Sequence, residues 1–262
     1  MLIISSMRNL VSLGNLVSLG NLVSLGNLVS LGNLGRLASL VCLILLVSGP
    51  IGPEVKAQIT PQQWRDSVTT LMEQIRLNPK NITLRLKKAE ANINLQQWDY
   101  AISEYGDILR LDERNLAALY FRAYCYNQQQ HYDLAKVDYE TFIEIDPTHL
   151  EAHLGLAHTL QKLGRRADTI DQLSRCVQLF PDSASAYAAS AAYETELELY
   201  DVALYDWDEA IRRQPKNVEF VVSKIDVLLR MKRILDARLA LDALVRQGVP
   251  RAALKEWYDR CR

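Results

Sequence analysis

Leu116 to His149 reads LAALYFRAYCYNQQQHYDLAKVDYETFIEIDPTH, and the placing of its small, aromatic and proline residues decides the fold. Ala123 and Ala135 are the small residues, Tyr126, Tyr132 and Tyr139 the aromatics, and Pro147 the terminator. The same pattern returns before and after this stretch at one constant spacing. Ala135 belongs to a column with Ala101, Ala203 and Ala237, in which Thr169 fills the gap. Ala123 belongs to one with Ala89, Ala157 and Ala191, continued by Ile225. Pro147 lines up with Pro79, Pro181 and Pro215, with Glu113 as the exception. Tyr132 lines up with Trp64, Trp98 and Tyr200, and Tyr139 with Tyr105, Leu173, Trp207 and Leu241. Five columns in one register define an internal repeat.

Each column has a physical reading. The alanines sit where two helices of a hairpin cross closely, and a larger side chain would force them apart. The aromatics at Tyr105, Tyr139 and Trp207 fill the space between one hairpin and the next. Proline lacks an N–H and clashes with a continuing helix, so it ends the second helix of each unit. A single hairpin cannot bury its apolar face alone, so neighbours must stack. The units run 82–115, 116–149, 150–183, 184–217 and 218–251. Residues 58–81 read as an N-terminal helix or half repeat, begun by Thr60-Pro61. Residues 250–262 read as a capping helix opened by Pro250 and running to about Cys261.

These residues resemble the tetratricopeptide repeat, most closely in 116–149 and least in 150–183, where Arg166, Thr169 and Cys176 depart from the usual types. The resemblance covers nearly all of 60–251. It implies an all-α, right-handed superhelical solenoid whose first helices line a concave groove that holds a protein or peptide partner. By register the groove positions are Leu86, Glu90 and Ile93, then Tyr120, Tyr124 and Asn127, then Leu154, His158 and Gln161. Ala188, Ala192 and Thr195 follow in the fourth unit, and Val222, Asp226 and Leu229 in the fifth. A recognition patch is expected around Tyr120, Tyr124, Asn127, His158 and Gln161; the alternative is that the tyrosines pack between hairpins. The Lys and Asn clamp that some family members use for C-terminal carboxylates is missing, since Leu86, Glu90, Tyr120 and Tyr124 occupy its places.

Residues 1–57 are a different material. Val-Ser-Leu-Gly-Asn-Leu repeats four times from Val11, with leucine at every third position, so a helix here would be apolar all round. An apolar run from Leu37 to Ser48, a Gly/Pro break and Val55-Lys56-Ala57 complete the pattern of a signal peptide cleaved between Ala57 and Gln58. Without the hexapeptides the segment has ordinary signal length, which suggests a tandem duplication and a start at Met7. The alternative is an uncleaved anchor, the hexapeptides extending the apolar stretch toward the span of a membrane helix. Exported repeat proteins of this kind, with Gln after the cleavage site, resemble those of Bacteroidetes. The expected place of action is the periplasm or cell envelope.

The chain has 262 residues, 49% of them hydrophobic, and a net charge of −1, which argues against a nucleic-acid partner. Residues 218–262 nonetheless hold ten Lys or Arg against six Asp or Glu, a basic end explained equally by a solvated helix face or by an acidic partner. His149, Glu151, His153 and His158 form the only cluster that looks like a metal site, and their spacing argues against shared ligation. Cys125 and Cys176 fall on buried columns. Asn81-Ile82-Thr83 fits a glycosylation acceptor by chance. No nucleophile, acid–base pair or phosphate loop stands apart from repeat packing, so neither enzyme activity nor a cofactor is expected. The functional reading is an interaction scaffold acting outside the cytoplasm. The alternatives are a glycan- or peptidoglycan-binding module and a membrane-anchored assembly subunit.

Overall fold

The computed structural model describes residues 59–262. The signal-peptide and anchor readings, the hexapeptides and the cleavage site at Ala57 and Gln58 lie outside the described residues. The first helix, α1 (Pro61–Leu77), precedes five hairpins. These pair α2 (Ile82–Asn94) with α3 (Trp98–Leu111), α4 (Leu116–Gln128) with α5 (Tyr132–Ile145), and α6 (Leu150–Lys162) with α7 (Arg166–Leu179). Two more pair α8 (Ala184–Glu196) with α9 (Tyr200–Arg213) and α10 (Val218–Arg230) with α11 (Ile234–Arg246). The starts of the first helices are evenly spaced from Ile82 to Val218, and those of the second helices match them from Trp98 to Ile234.

The local chemistry repeats with the same period. Each first helix is capped by a side chain accepting from a backbone N–H of its first turn: Asn81, Asn115, His149, Ser183 and Asn217. The second helices have no such cap. Each instead carries an aspartate in its first turn (Asp99, Asp133, Asp168, Asp201 and Asp236), where a negative charge meets the positive end of the helix dipole. Between the two helices one residue turns left-handed: Gln96, Gln130, Gly164, Glu198 and Lys232, with φ between 57° and 71°. The next N–H reaches back into the last helical turn and closes the loop, as from His131 to Tyr126 O at 2.9 Å and from Leu199 to Glu194 O at 2.9 Å.

Packing follows the columns. Ala89, Ala101, Ala123, Ala135, Ala191, Ala203 and Ala237 are sealed from solvent, and Ala157 nearly so. Between hairpins, Tyr105 stacks on Phe121 with centroids 6.2 Å apart, and Trp207 lies 6.0 Å from Phe220. Tyr139 is accommodated differently. A Cβ on Gly155 would stand 2.5 Å from its ring, so the next hairpin approaches by having no side chain there. At the amino end, Thr60 and Gln63 form a reciprocal capping box over α1.

At the carboxyl end the expected single helix is divided into a 3-10 turn, Arg251–Leu254, and a short helix α12, Lys255–Arg260. Leu254 and Cys261 are buried in the same apolar cluster as Leu241 and Leu244, which places this segment over the last hairpin. Tyr258 donates to Asp242 at 2.6 Å. Because Cys261 is buried, its thiol is not presented for a disulfide between copies.

Candidate functional site

First helices of successive hairpins touch one another, α2 with α4, α4 with α6, α6 with α8 and α8 with α10, and do so more closely than successive second helices. The stack therefore curves with the first helices inside. The positions assigned to a groove are inner-face positions, and the structure divides them into three kinds.

Some are packing residues. The Tyr120 ring meets Phe121, Tyr139 and Phe142 edge-on at 5.1, 5.9 and 6.0 Å, and His149 at 5.6 Å. Burial pushes its phenol well above the ordinary range. Tyr120 is half-buried and packs mainly within its own hairpin, against the rings of α5. Ile93 and Ala188 are buried.

Others join one first helix to the next. Asn127 donates from Nδ2 to Thr159 Oγ1 at 2.9 Å, while the Thr159 hydroxyl donates to Gly155 O at 2.7 Å. Gln161 donates to Glu196 across α6 and α8. Asp226 accepts from Arg230 and Arg260, both at 2.7 Å, tying α10 to α12. Thr159, Glu196 and Arg260 were invisible as partners in the sequence, because a fixed period marks equivalent positions and does not show which non-equivalent ones meet.

The third kind is left half-exposed: Leu86, Tyr124, Leu154, His158, Ala192, Val222 and Leu229. They form an apolar lane across five first helices. Tyr124 is steadied by Trp98, edge-on at 6.1 Å. Burial lowers the His158 imidazole to about 4, with Lys162 adding to the effect, so His158 is neutral at physiological pH. Glu90 lies in the lane, and burial raises its carboxyl above the usual range.

The histidines have separate duties. His149 Nδ1 accepts from the Ala152 N–H at 3.2 Å as a helix cap. His153 is fully buried; Gln172 Nε2 donates to its Nδ1 at 2.9 Å, so its Nε2 carries the proton and donates to Pro147 O at 3.0 Å. Both ring nitrogens of His153 are therefore occupied.

Residues 116–149 match the family model described as the tetratricopeptide repeat. No curated protein matches the sequence. Among solved structures, a tetratricopeptide repeat protein from Parabacteroides merdae is similar over 72% of this chain and 75% of its own, at 18% identity and a TM-score of 0.62. MamA from Desulfovibrio magneticus is similar over 63% of this chain and 93% of its own, at 14% identity and a TM-score of 0.56. YrrB, a tetratricopeptide repeat protein with an unusual peptide-binding site, is similar over 67% of this chain and 90% of its own, at 18% identity and a TM-score of 0.52. At such identities the likeness establishes the fold, an all-α solenoid of tetratricopeptide-repeat hairpins.

Proposed function

We propose that the protein is a non-catalytic scaffold that holds a segment of a partner protein along the inner face of its solenoid, outside the cytoplasm. The observation that carries this reading is the half-exposed apolar lane. Leucines, a valine, an alanine and a tyrosine are kept in partial contact with solvent on five successive first helices, while the column residues beside them are sealed. Such a lane suits an extended or helical peptide, whose side chains can enter between successive first helices. The peptide-binding site of YrrB, which shares the fold, lends the reading support. Export rests on the composition of residues 1–57 and envelope action on that alone. A glycan-binding groove would call for open aromatic rings, and both Tyr120 and Tyr124 are half-buried against neighbouring rings.

The test is cross-linking from a photoreactive residue at position 124 or 158 in the native envelope fraction, with Tyr124→Ala combined with Leu154→Glu as the disabling variant. The expected result is one partner captured from the inner face and lost by about tenfold or more in the double variant, at unchanged helicity. Capture that survives the double variant and disappears in Tyr205→Ser, on the outer face, would overturn the reading.

A further inference from the structure

One position pair differs between hairpins that are otherwise alike. The seventh residue of each first helix faces the seventh of the second. In the first hairpin these are Lys88 and Glu104, joined at 2.7 Å, with Arg85 adding a second cation at 2.8 Å. In the second they are Arg122 and Asp138, joined by two bonds of 2.7 Å. In the third the acid is replaced by Gln172, which is neutral and bonded to His153. In the fifth, Lys224 crosses to Asp208 of the preceding hairpin at 2.5 Å.

The fourth hairpin keeps a buried acid, Asp206, as the first two do, but places a serine, Ser190, where they have a cation. One turn beyond Ser190 comes a second acid, Glu194. Ser190 Oγ donates to Glu194 Oε1 at 3.3 Å and, by the register that pairs Lys88 with Glu104 and Arg122 with Asp138, faces Asp206. A hydroxyl has one proton to donate, and that of Ser190 goes to Glu194, so it offers none to Asp206. Glu194 Oε2 is buried with no hydrogen-bond partner. The equivalent positions in the third and fifth hairpins, Leu160 and Leu228, are buried leucines, so packing of the hairpin does not call for an acid here.

We propose that the α8–α9 hairpin is a proton-sensitive joint in the solenoid: Glu194 and Asp206, grouped about Ser190 with no cation bonded to either, let the two helices close while a proton is held and loosen them when both are ionised. Glu209 and Arg213 of α9 also face Asp206, but Glu209 already accepts from both Arg212 and Arg213. On α10, Lys224 is held by Asp208. On the other side, α6 and α7 meet α8 through Leu154, Ala157 and Leu173, which pack on Tyr193, Ala189 and Leu197. Burial and the neighbouring Asp206 raise the Glu194 carboxyl to about 7, and burial raises Asp206 as well. A carboxyl raised in the folded state favours folding while it keeps its proton. Its destabilising effect begins as pH climbs past the ordinary carboxylate range and is complete above the raised value. The window therefore runs from about 5 to above 7, and the joint loosens with rising pH. The inference is independent of what the inner lane binds.

The test is amide hydrogen exchange on the full chain at pH 6 and pH 8, corrected for intrinsic rates, with α4 and α5 as the internal reference. In the wild type, protection of α8 and α9 relative to α4 and α5 should fall on the order of tenfold between the two pH values. In Glu194→Gln, and in Ser190→Lys, which restores the cation of the first two hairpins, the ratio should not change. A wild-type ratio that is the same at both pH values, or a Glu194→Gln ratio that falls as the wild type does, would overturn the proposal.

Discussion

The second and fourth hairpins have the same helix lengths, the same left-handed turn position and the same sealed alanines, yet they treat a buried acid in opposite ways. Asp138 and Asp206 are both buried. Asp138 is gripped on both oxygens by Arg122, whereas Asp206 faces a serine whose hydroxyl donates to Glu194. Repeat architecture explains how both can persist. Each hairpin contacts only its neighbours, so a local departure is tolerated provided the interfaces on either side are kept. The alanine crossings and the columns that face those interfaces recur from unit to unit; the pair at the seventh positions is free to vary.

The largest expected effect comes from making the second hairpin like the fourth. Arg122→Met leaves Asp138 buried without its cation and should cost about 3 kcal/mol at neutral pH, read by urea unfolding. The loss should shrink as pH falls and Asp138 takes a proton, since burial already raises its carboxyl and the arginine no longer opposes that. A loss under about 1 kcal/mol would mean that Asp138 is solvated once Arg122 is gone, and that the contrast between the hairpins is slight.

A smaller effect concerns how each hairpin meets the next. Gly155→Ala sets a methyl against the ring of Tyr139, where three side-chain atoms lie 2.5 to 2.9 Å from the new carbon. It should cost about 1–3 kcal/mol by overpacking, again read by urea unfolding. Adding Tyr139→Leu should recover part of it. Without that recovery in the double variant, the strain would belong to α6 itself and not to the contact.

The smallest effect should be equal in the two hairpins. Gln130 and Glu198 both have φ of 62°, a conformation that disfavours side chains with a Cβ. Gln130→Gly and Glu198→Gly should each stabilise by about 0.5–1 kcal/mol, seen as matching rises in thermal midpoint. Unequal gains would show that the turns also differ, and that the acid pair is not the sole distinction.

Much of the fold was legible because close packing repeats whatever it requires. Alanine at a helix crossing, an aromatic between hairpins and proline after a second helix recur at a fixed spacing that can be read without coordinates. The turn residue was less legible. Gly164 marks it once, while the other four hairpins hold Gln96, Gln130, Glu198 and Lys232 in the same backbone conformation, sustained by the hydrogen bonds that close the turn. The caps were hidden for a similar reason, since Asn, His and Ser all accept a backbone N–H and so form a column of function without a column of identity.

The inner face divides the same way. Register alone placed Leu86, Tyr120, Tyr124, Asn127, Leu154, His158 and Gln161 on first helices, because helical periodicity assigns residues to faces. Which of them remain open was decided by neighbours distant in sequence. Tyr120 is claimed by the Phe142 and Tyr139 rings, Asn127 by Thr159, Gln161 by Glu196 and Asp226 by Arg260. Periodicity is a property of one chain segment and its solvent, so the sequence carries it. Satisfaction of a polar group, or the covering of a ring, depends on what the partner helix or the next hairpin brings within a few ångströms, and only the tertiary structure decides that.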